Sequence, residues 1–184
     1  MKCLGHGRKV SADMHIGLRP KEAGKLLPTD IVFQTGLWSA VKSRLGWKPL
    51  AFDFACAGQD GDVLVLTKAL LPGISAAYVP QGPEFRPDPD RYGLFLEALS
   101  GAIKQHVDPT VAFIRYDLPW ESPYVDRAVS GRLTSRSFQR PEARLQELRM
   151  NFGTQRWNLR KDKVNLTFAD RLVLDLGRDE AMIL

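Results

Sequence analysis

Apolar positions recur along the chain with two different periods. Leu37, Val41 and Leu45 return every four residues, Thr35 stands where an N-cap belongs, and Gly46 closes the run. This spacing predicts a short amphipathic helix. Trp38 and Lys42 lie one turn apart on an adjoining face, so an aromatic platform and a cation are presented together. From Pro49 the period falls to two. Leu50, Phe52, Phe54 and Cys56 alternate with Ala51, Asp53 and Ala55, and the GQDGD segment is read as a turn before a second strand over 63–71. Pro72 and Gly73 suit the central positions of a type II turn, after which Ile74 to Val79 completes a three-strand meander.

The segment PQGPEFRPDPDRY is too rich in proline for regular structure and is expected to cross an edge of the sheet. A helix follows, with Asp88 as cap and Pro89 at the first helical position. Its wide apolar face of Phe95, Leu99 and Ile103 with Leu94, Ala98 and Ala102 should cover the sheet. The nearly continuous apolar run Val111, Ala112, Phe113 and Ile114 predicts a buried strand over 110–116, with Arg115, Tyr116 and Asp117 at its carboxyl end. Residues 128–140 read as a loop or exposed arm, and a short helix is expected from Pro141. Leu172, Val173, Leu174 and Leu176 predict one more strand. The helix that starts at Arg178 stops uncapped at Leu184, short of an average helix of about 11 to 12 residues, and reads as an interrupted element. The first thirty residues mix Gly, Lys and Pro without periodicity, so order is expected from Ile31.

These elements define an α/β class, with a mixed, largely antiparallel sheet flanked by helices. The division they suggest is an irregular segment 1–30, a subdomain 31–126, a basic arm or linker 127–163, and a last strand with the interrupted helix at 164–184.

Composition narrows the class further. With 184 residues, 44% hydrophobic and 26% charged, the chain has the make-up of a globular domain. It lacks an apolar run of the roughly 20 residues that span a bilayer, and MKCLGHGRKV does not resemble a signal peptide. Cys3 and Cys56 have no metal-ligand or disulfide spacing around them, so no metal and no cofactor are expected and a cytoplasmic setting is read. The net charge of +5 is concentrated: residues 127–163 hold ten basic and three acidic side chains. Such a stretch attracts phosphates of nucleic acid, nucleotide or lipid, or else is a solvated arm without a partner.

Four motifs lie in order: FQTGLWSAVKSRLGW at 33–47, AYVPQGPEF at 77–85, FIRYDLPW at 113–120 and QRWNLRKDKVNLTFADRLVLDL at 155–176. Together they resemble the amino-terminal half of the FemABX family, which moves an amino acid from aminoacyl-tRNA to the stem peptide of a peptidoglycan precursor. The resemblance implies an acetyltransferase-like (GNAT-type) subdomain, the first of two that enclose a substrate cleft, here cut off before the second. It also implies as partners the precursor, either lipid II or UDP-muramyl-pentapeptide, and aminoacyl-tRNA. A second chain or the missing carboxyl-terminal half would complete the cleft, with at most peripheral contact to a membrane.

In this mapping Lys42 corresponds to a lysine that contacts the precursor's phosphates, and Trp38 beside it would pack a sugar or uracil. Asp117 corresponds to an aspartate considered as general base for the attacking amine, with Arg115 also facing the substrate. An arginine on the same face makes that carboxylate a weaker base, and a plain turn-capping role for Asp117 remains the alternative. Gln81, where the family often has Pro or Arg, removes one cation and leaves the turn intact. Arg132, Arg136, Arg140, Arg160 and Lys161 are candidate contacts to tRNA or other phosphates, and Trp157 offers a stacking surface. A non-catalytic phosphate- or RNA-binding module built on 127–163 is the competing reading. Transfer by this chain unaided is expected to be weak or absent, since half a cleft cannot orient two substrates.

Overall fold

The computed structural model describes residues 14–120 and 143–162. Five strands form one sheet in the order β1 to β5: β1 Ile16–Lys21, β2 Lys48–Cys56, β3 Gln59–Leu71, β4 Ile74–Val79 and β5 Val111–Tyr116. The first four pair antiparallel and β5 runs parallel to β4. Helix α1 (Gly36–Arg44) lies between β1 and β2, α2 (Tyr92–Lys104) makes the crossover from β4 to β5, and α3 is Ala143–Asn151. The mixed α/β class with a mostly antiparallel, open sheet is therefore observed.

The period-two pattern sorts side chains to two faces of the sheet. On one, Ile16, Phe52, Phe54, Cys56, Val63, Val65, Ala77 and Val79 pack against Phe95, Leu96, Leu99 and Ile103 of α2. On the other, Ala51, Leu64, Leu66 and Tyr78 lie under Trp38, Trp47, Ala23 and Leu26. The first face is the larger core, and Phe95 is central to it, with ring centroids 5.3 Å from Phe85, 5.6 Å from Trp120 and 5.8 Å from Phe54. Burial of a ring of this size contributes about 1.5–3 kcal/mol.

Several expectations need correction. Order begins at β1, well before Ile31: Ile16 is buried and the strand pairs with β2 from Ile16↔Cys56 to Lys21↔Ala51. Gly17 and Pro20 hide its alternation in the sequence, yet Pro20 is tolerated because β1 has a partner on one side only among the described residues. The first hairpin turns at Ala57 and Gly58, both at positive φ (51° and 80°), which is the geometry of a two-residue turn, so GQDGD belongs largely to β3. There Asp62 receives Lys21, which also pairs with Asp53 at 3.2 Å.

Helix α1 starts as expected, with the Thr35 hydroxyl accepting from the Trp38 N–H. Its predicted apolar row is not its buried face: Leu37, Val41 and Leu45 are exposed, and the helix is seated through Trp38 and Ser39. Asp88 offers no side-chain cap; its carbonyl receives the Arg91 N–H of a 3-10 turn at Pro89–Arg91 that leads into α2. Strand β5 is not buried, because its α1-side face is open and leaves Ala112 and Phe113 exposed. Of the segment read as a basic arm or linker, residues 143–162 are docked on α2: the Glu97 carboxylate accepts from the N–H groups of Gln155 and Arg156. Arg132, Arg136 and Arg140, the predicted strand at 172–176 and the helix from Arg178 lie outside the described residues.

Candidate functional site

The residues singled out in the first and third motifs gather on the α1 face of the sheet, with Tyr78 of the second between them. The Lys42 ammonium lies 4.8 Å from the ring centroid of Trp38 and 5.7 Å from that of Trp47. Lys68 of β3 approaches the same Trp47 ring at 5.4 Å, and Trp47 is 6.1 Å from Tyr78 of β4. Tyr78 donates its hydroxyl to Asp117 Oδ2 at 2.7 Å, and Asp117 Oδ1 lies 3.8 Å from Arg115 Nε. Arg115 reaches on to Asp162 at 2.5 Å.

Sheet register explains the gathering. Tyr78 and Arg115 are opposed across the parallel β4/β5 pair, so they share a face, and two residues on from Arg115 the chain returns Asp117 to that face. The ladder runs past the strand end, with Asp117 N–H bonded to Val79 O and Gly82 N–H to Asp117 O. Lys42 and Trp38 are brought in by the helical i, i+4 spacing.

The electrostatics favour donors. Lys42 and Lys68 form no ion pair with a described carboxylate, and their visible partners are indole faces, whose quadrupole attracts cations without neutralising them. Burial, and then the Asp117 carboxylate, push the Tyr78 hydroxyl well above the ordinary tyrosine value, against a smaller opposing effect of Arg115. Tyr78 therefore stays protonated and keeps donating. Asp117 is thus engaged on both oxygens. The two contacts fix the orientation of the carboxylate on this face.

The turn after β4 is held by a side chain. Gln34, buried just ahead of α1, donates Nε2 to Pro80 O at 2.5 Å and accepts the Leu64 N–H on Oε1 at 2.8 Å. The β3/β4 register that pairs Leu66 with Tyr78 would, two residues on, pair Leu64 with Pro80. The Gln34 amide fills that gap as the strands part. Gln81 follows, buried and at φ 44°, and then a cis Gly82-Pro83 bond. A side chain on Gly82 would sit 2.5–2.9 Å from the Gln34 amide, so the turn and the glutamine are fitted to one another.

The other candidates lie elsewhere. Arg160 is exposed and its Nη1 donates to the carbonyls of Trp157 and Leu159, while the Lys161 backbone is tied to Glu147. Trp157 is half exposed at φ 50°. Among the described residues no cluster of His, Cys, Asp and Glu is arranged to hold a metal, and no helix is long and apolar enough to cross a membrane. Trp47, Lys68 and Tyr78 are the members of the cluster that sequence reasoning did not single out. Tyr78 and Trp47 each stand in a quoted motif without a role; Lys68 carries no local signal.

Titration of the buried phenols gives a measurable consequence. Tyr116, on the opposite face beside Ser100 Oγ at 2.9 Å, is also pushed up by burial. Unfolded tyrosines ionise near pH 10, so above that pH the folded state holds more protons and stability falls as pH rises. Each phenol adds a slope of about 1.4 kcal/mol per pH unit. Urea melts between pH 9 and 12 should show this decline, and Tyr116→Phe should make it shallower by one phenol's share.

Comparison with protein-family models, with curated proteins and with solved structures finds no match. What the chain defines by itself is a mixed α/β domain with a donor-rich, aromatic patch on one face of its sheet.

Proposed function

We propose that this chain serves the transfer of an amino acid from aminoacyl-tRNA to the stem peptide of a peptidoglycan precursor, as the amino-terminal, acetyltransferase-like part of a FemABX-type enzyme acting in the cytoplasm. The observation that carries the reading is the convergence of Trp38, Lys42, Arg115 and Asp117, drawn from two separate motifs, on one face of the sheet. The element order is compatible with an acetyltransferase-like subdomain: a helix between the first two strands, an antiparallel meander, and a helical crossover to a parallel strand. Lys42, raised on two indoles and without a carboxylate partner among the described residues, is suited to a diphosphate as a compact charge. Tyr78 holds Asp117 in place, so that Asp117 orients the face more readily than it removes a proton.

The phosphate- or RNA-binding alternative draws on 127–163, whose described part is packed on α2, and no observation there favours it.

The test is transfer of a labelled amino acid from charged tRNA to the muramyl-pentapeptide precursor, with precursor binding followed separately by calorimetry. Lys42→Ala should weaken precursor binding about tenfold or more, the scale of one charge-assisted phosphate contact. Lys104→Ala, at the exposed end of α2, should leave it unchanged. Absence of both binding and transfer, with a carboxyl-terminal half supplied in trans, sinks the proposal.

A further inference from the structure

At one end of the sheet the β3/β4 hairpin runs on past both neighbours. Pairing of β2 with β3 begins at Lys48↔Thr67, so Lys68 to Leu71 run on past β2; β5 stays beside β4 up to Ser75, opposite Ala69, so the turn from Leu70 to Ile74 passes both neighbours. Allowing for the irregularity between Ala69 and Leu71, the tip projects past both neighbours on the order of 5 Å. Its tip is apolar. The stretch ALLPGISA at 69–76 carries no charge, and Leu70, Leu71 and Ile74 are 51%, 63% and 43% exposed, outside both hydrophobic clusters. A tight turn at Pro72-Gly73 needs no large aliphatic side chains around it, and three of them in water are a cost to the isolated fold.

Cations stand one step behind this tip. Lys48 opens β2 and is exposed, Arg44 is exposed at the end of α1, and Lys68 is half-buried over Trp47. None of the three is ion-paired with a described carboxylate. The acid that faces them is Asp108, tied to Thr110 and within the field of Lys48. Behind the aliphatic tip an indole and cations thus stand together, Lys68 lying over Trp47 and Lys48 following it. This matches the order of a bilayer surface, where apolar side chains enter about 5–10 Å, tryptophan sits at the headgroup level, and basic residues meet anionic lipid.

We infer that the 69–74 turn inserts into the surface of a bilayer rich in anionic lipid, with Lys48, Arg44 and Lys68 on the headgroups. The inference is independent of the transfer reading. It is tested by sedimenting the full chain with vesicles of phosphatidylglycerol and phosphatidylcholine, and with phosphatidylcholine alone. The chain should bind the anionic vesicles, and more weakly as salt is raised. Leu70→Asp with Leu71→Asp should weaken binding at least about tenfold, since a charge replaces inserted aliphatic area. The paired Lys48→Glu and Arg44→Glu change should act in the same direction, and Leu37→Asp, on the exposed row of α1, should change nothing. Quenching of tryptophan fluorescence by brominated lipid, lost in Trp47→Phe, reads the insertion in a chain with an unaltered tip. No binding to anionic vesicles, equal binding to phosphatidylcholine alone, wild-type binding by the Leu70/Leu71 variant, or loss of binding in Leu37→Asp each overturns it. Self-association without lipid that the Leu70/Leu71 variant abolishes would assign the tip to a second copy and overturn it as well.

Discussion

Replacing Gly93 with alanine should destabilise the protein by about 3 kcal/mol or more, the upper range for forcing atoms into a packed contact. A side chain at this position of α2 would stand 1.6 Å from Met150 O and 2.7 Å from Met150 C. Both are backbone atoms of α3, so no rotamer change can relieve the collision and the two helices must separate. The unit that would be displaced is internally tied. Asn151, almost fully buried, donates to Glu147 O and Leu159 O and accepts the Leu159 N–H, and Thr154 donates to Asn151 O. Released from α2, it would lose the two N–H bonds to Glu97 and strain the reach of Arg115 to Asp162. Thermal melts should show the loss, and trypsin should cut at Arg156 and Arg160 sooner than in the parent. Gly101→Ala is the control on the same helix. No atom lies within 4 Å of its added carbon, so it should stabilise by about 0.5–1 kcal/mol. A Gly93→Ala protein that melts like the parent would mean that the α2/α3 contact contributes nothing.

Legibility in the sequence followed the range of the interaction. The alternation of Phe52, Phe54 and Cys56 is local, and it placed β2 and its buried face correctly. Thr35 and Gly46 likewise fixed the ends of α1, because capping acts within one turn. Which face of α1 is buried is a tertiary matter. Trp38 and Ser39 take the seat, and the regular row of Leu37, Val41 and Leu45 is turned to solvent. β1 was missed because a glycine and a proline interrupt its pattern, while its partner supplies the order from β2.

The candidate site divides in the same way. Trp38 and Lys42 were readable as neighbours through helical spacing, and Arg115 and Asp117 through strand spacing. That the two pairs share one face depends on Trp47, Lys68 and Tyr78, which meet only through the β2/β3/β4 register and the parallel pairing with β5. No short-range pattern encodes that register. The proposal of aminoacyl transfer rests on the resemblance of the ordered motifs, and the geometry adds a reason to look to Lys42 before Asp117.

Gln34→Leu should cost a comparable amount, about 3 kcal/mol, and it should reach the site as well as the fold. The substitution keeps the side chain's bulk but removes both polar contacts, leaving the Leu64 N–H and the Pro80 carbonyl buried without a partner. Each orphaned group costs about 1–3 kcal/mol, because the strands have already parted there and neither can turn to the other. Gln34→Glu separates the two contacts. Protonated, a glutamate can accept from Leu64 and donate its O–H to Pro80, so little should be lost at low pH; ionised, it can still accept from Leu64 but sets a negative oxygen against the Pro80 carbonyl, and the loss should be large. Its stability should therefore fall as pH rises through the carboxyl range, whereas Gln34→Leu should show no such dependence. The site is affected because the turn held by Gln34 carries Gly82, whose N–H bonds to the Asp117 carbonyl. A slackened turn loosens Asp117 and its bond to Tyr78, and on the proposed function precursor binding should weaken together with stability. Chemical denaturation at pH 4 and pH 8, with binding measured on the same variants, decides the matter. Parent-like melting of Gln34→Leu would show that water fills the gap between Leu64 and Pro80, and that the glutamine is not what joins the helix to the turn.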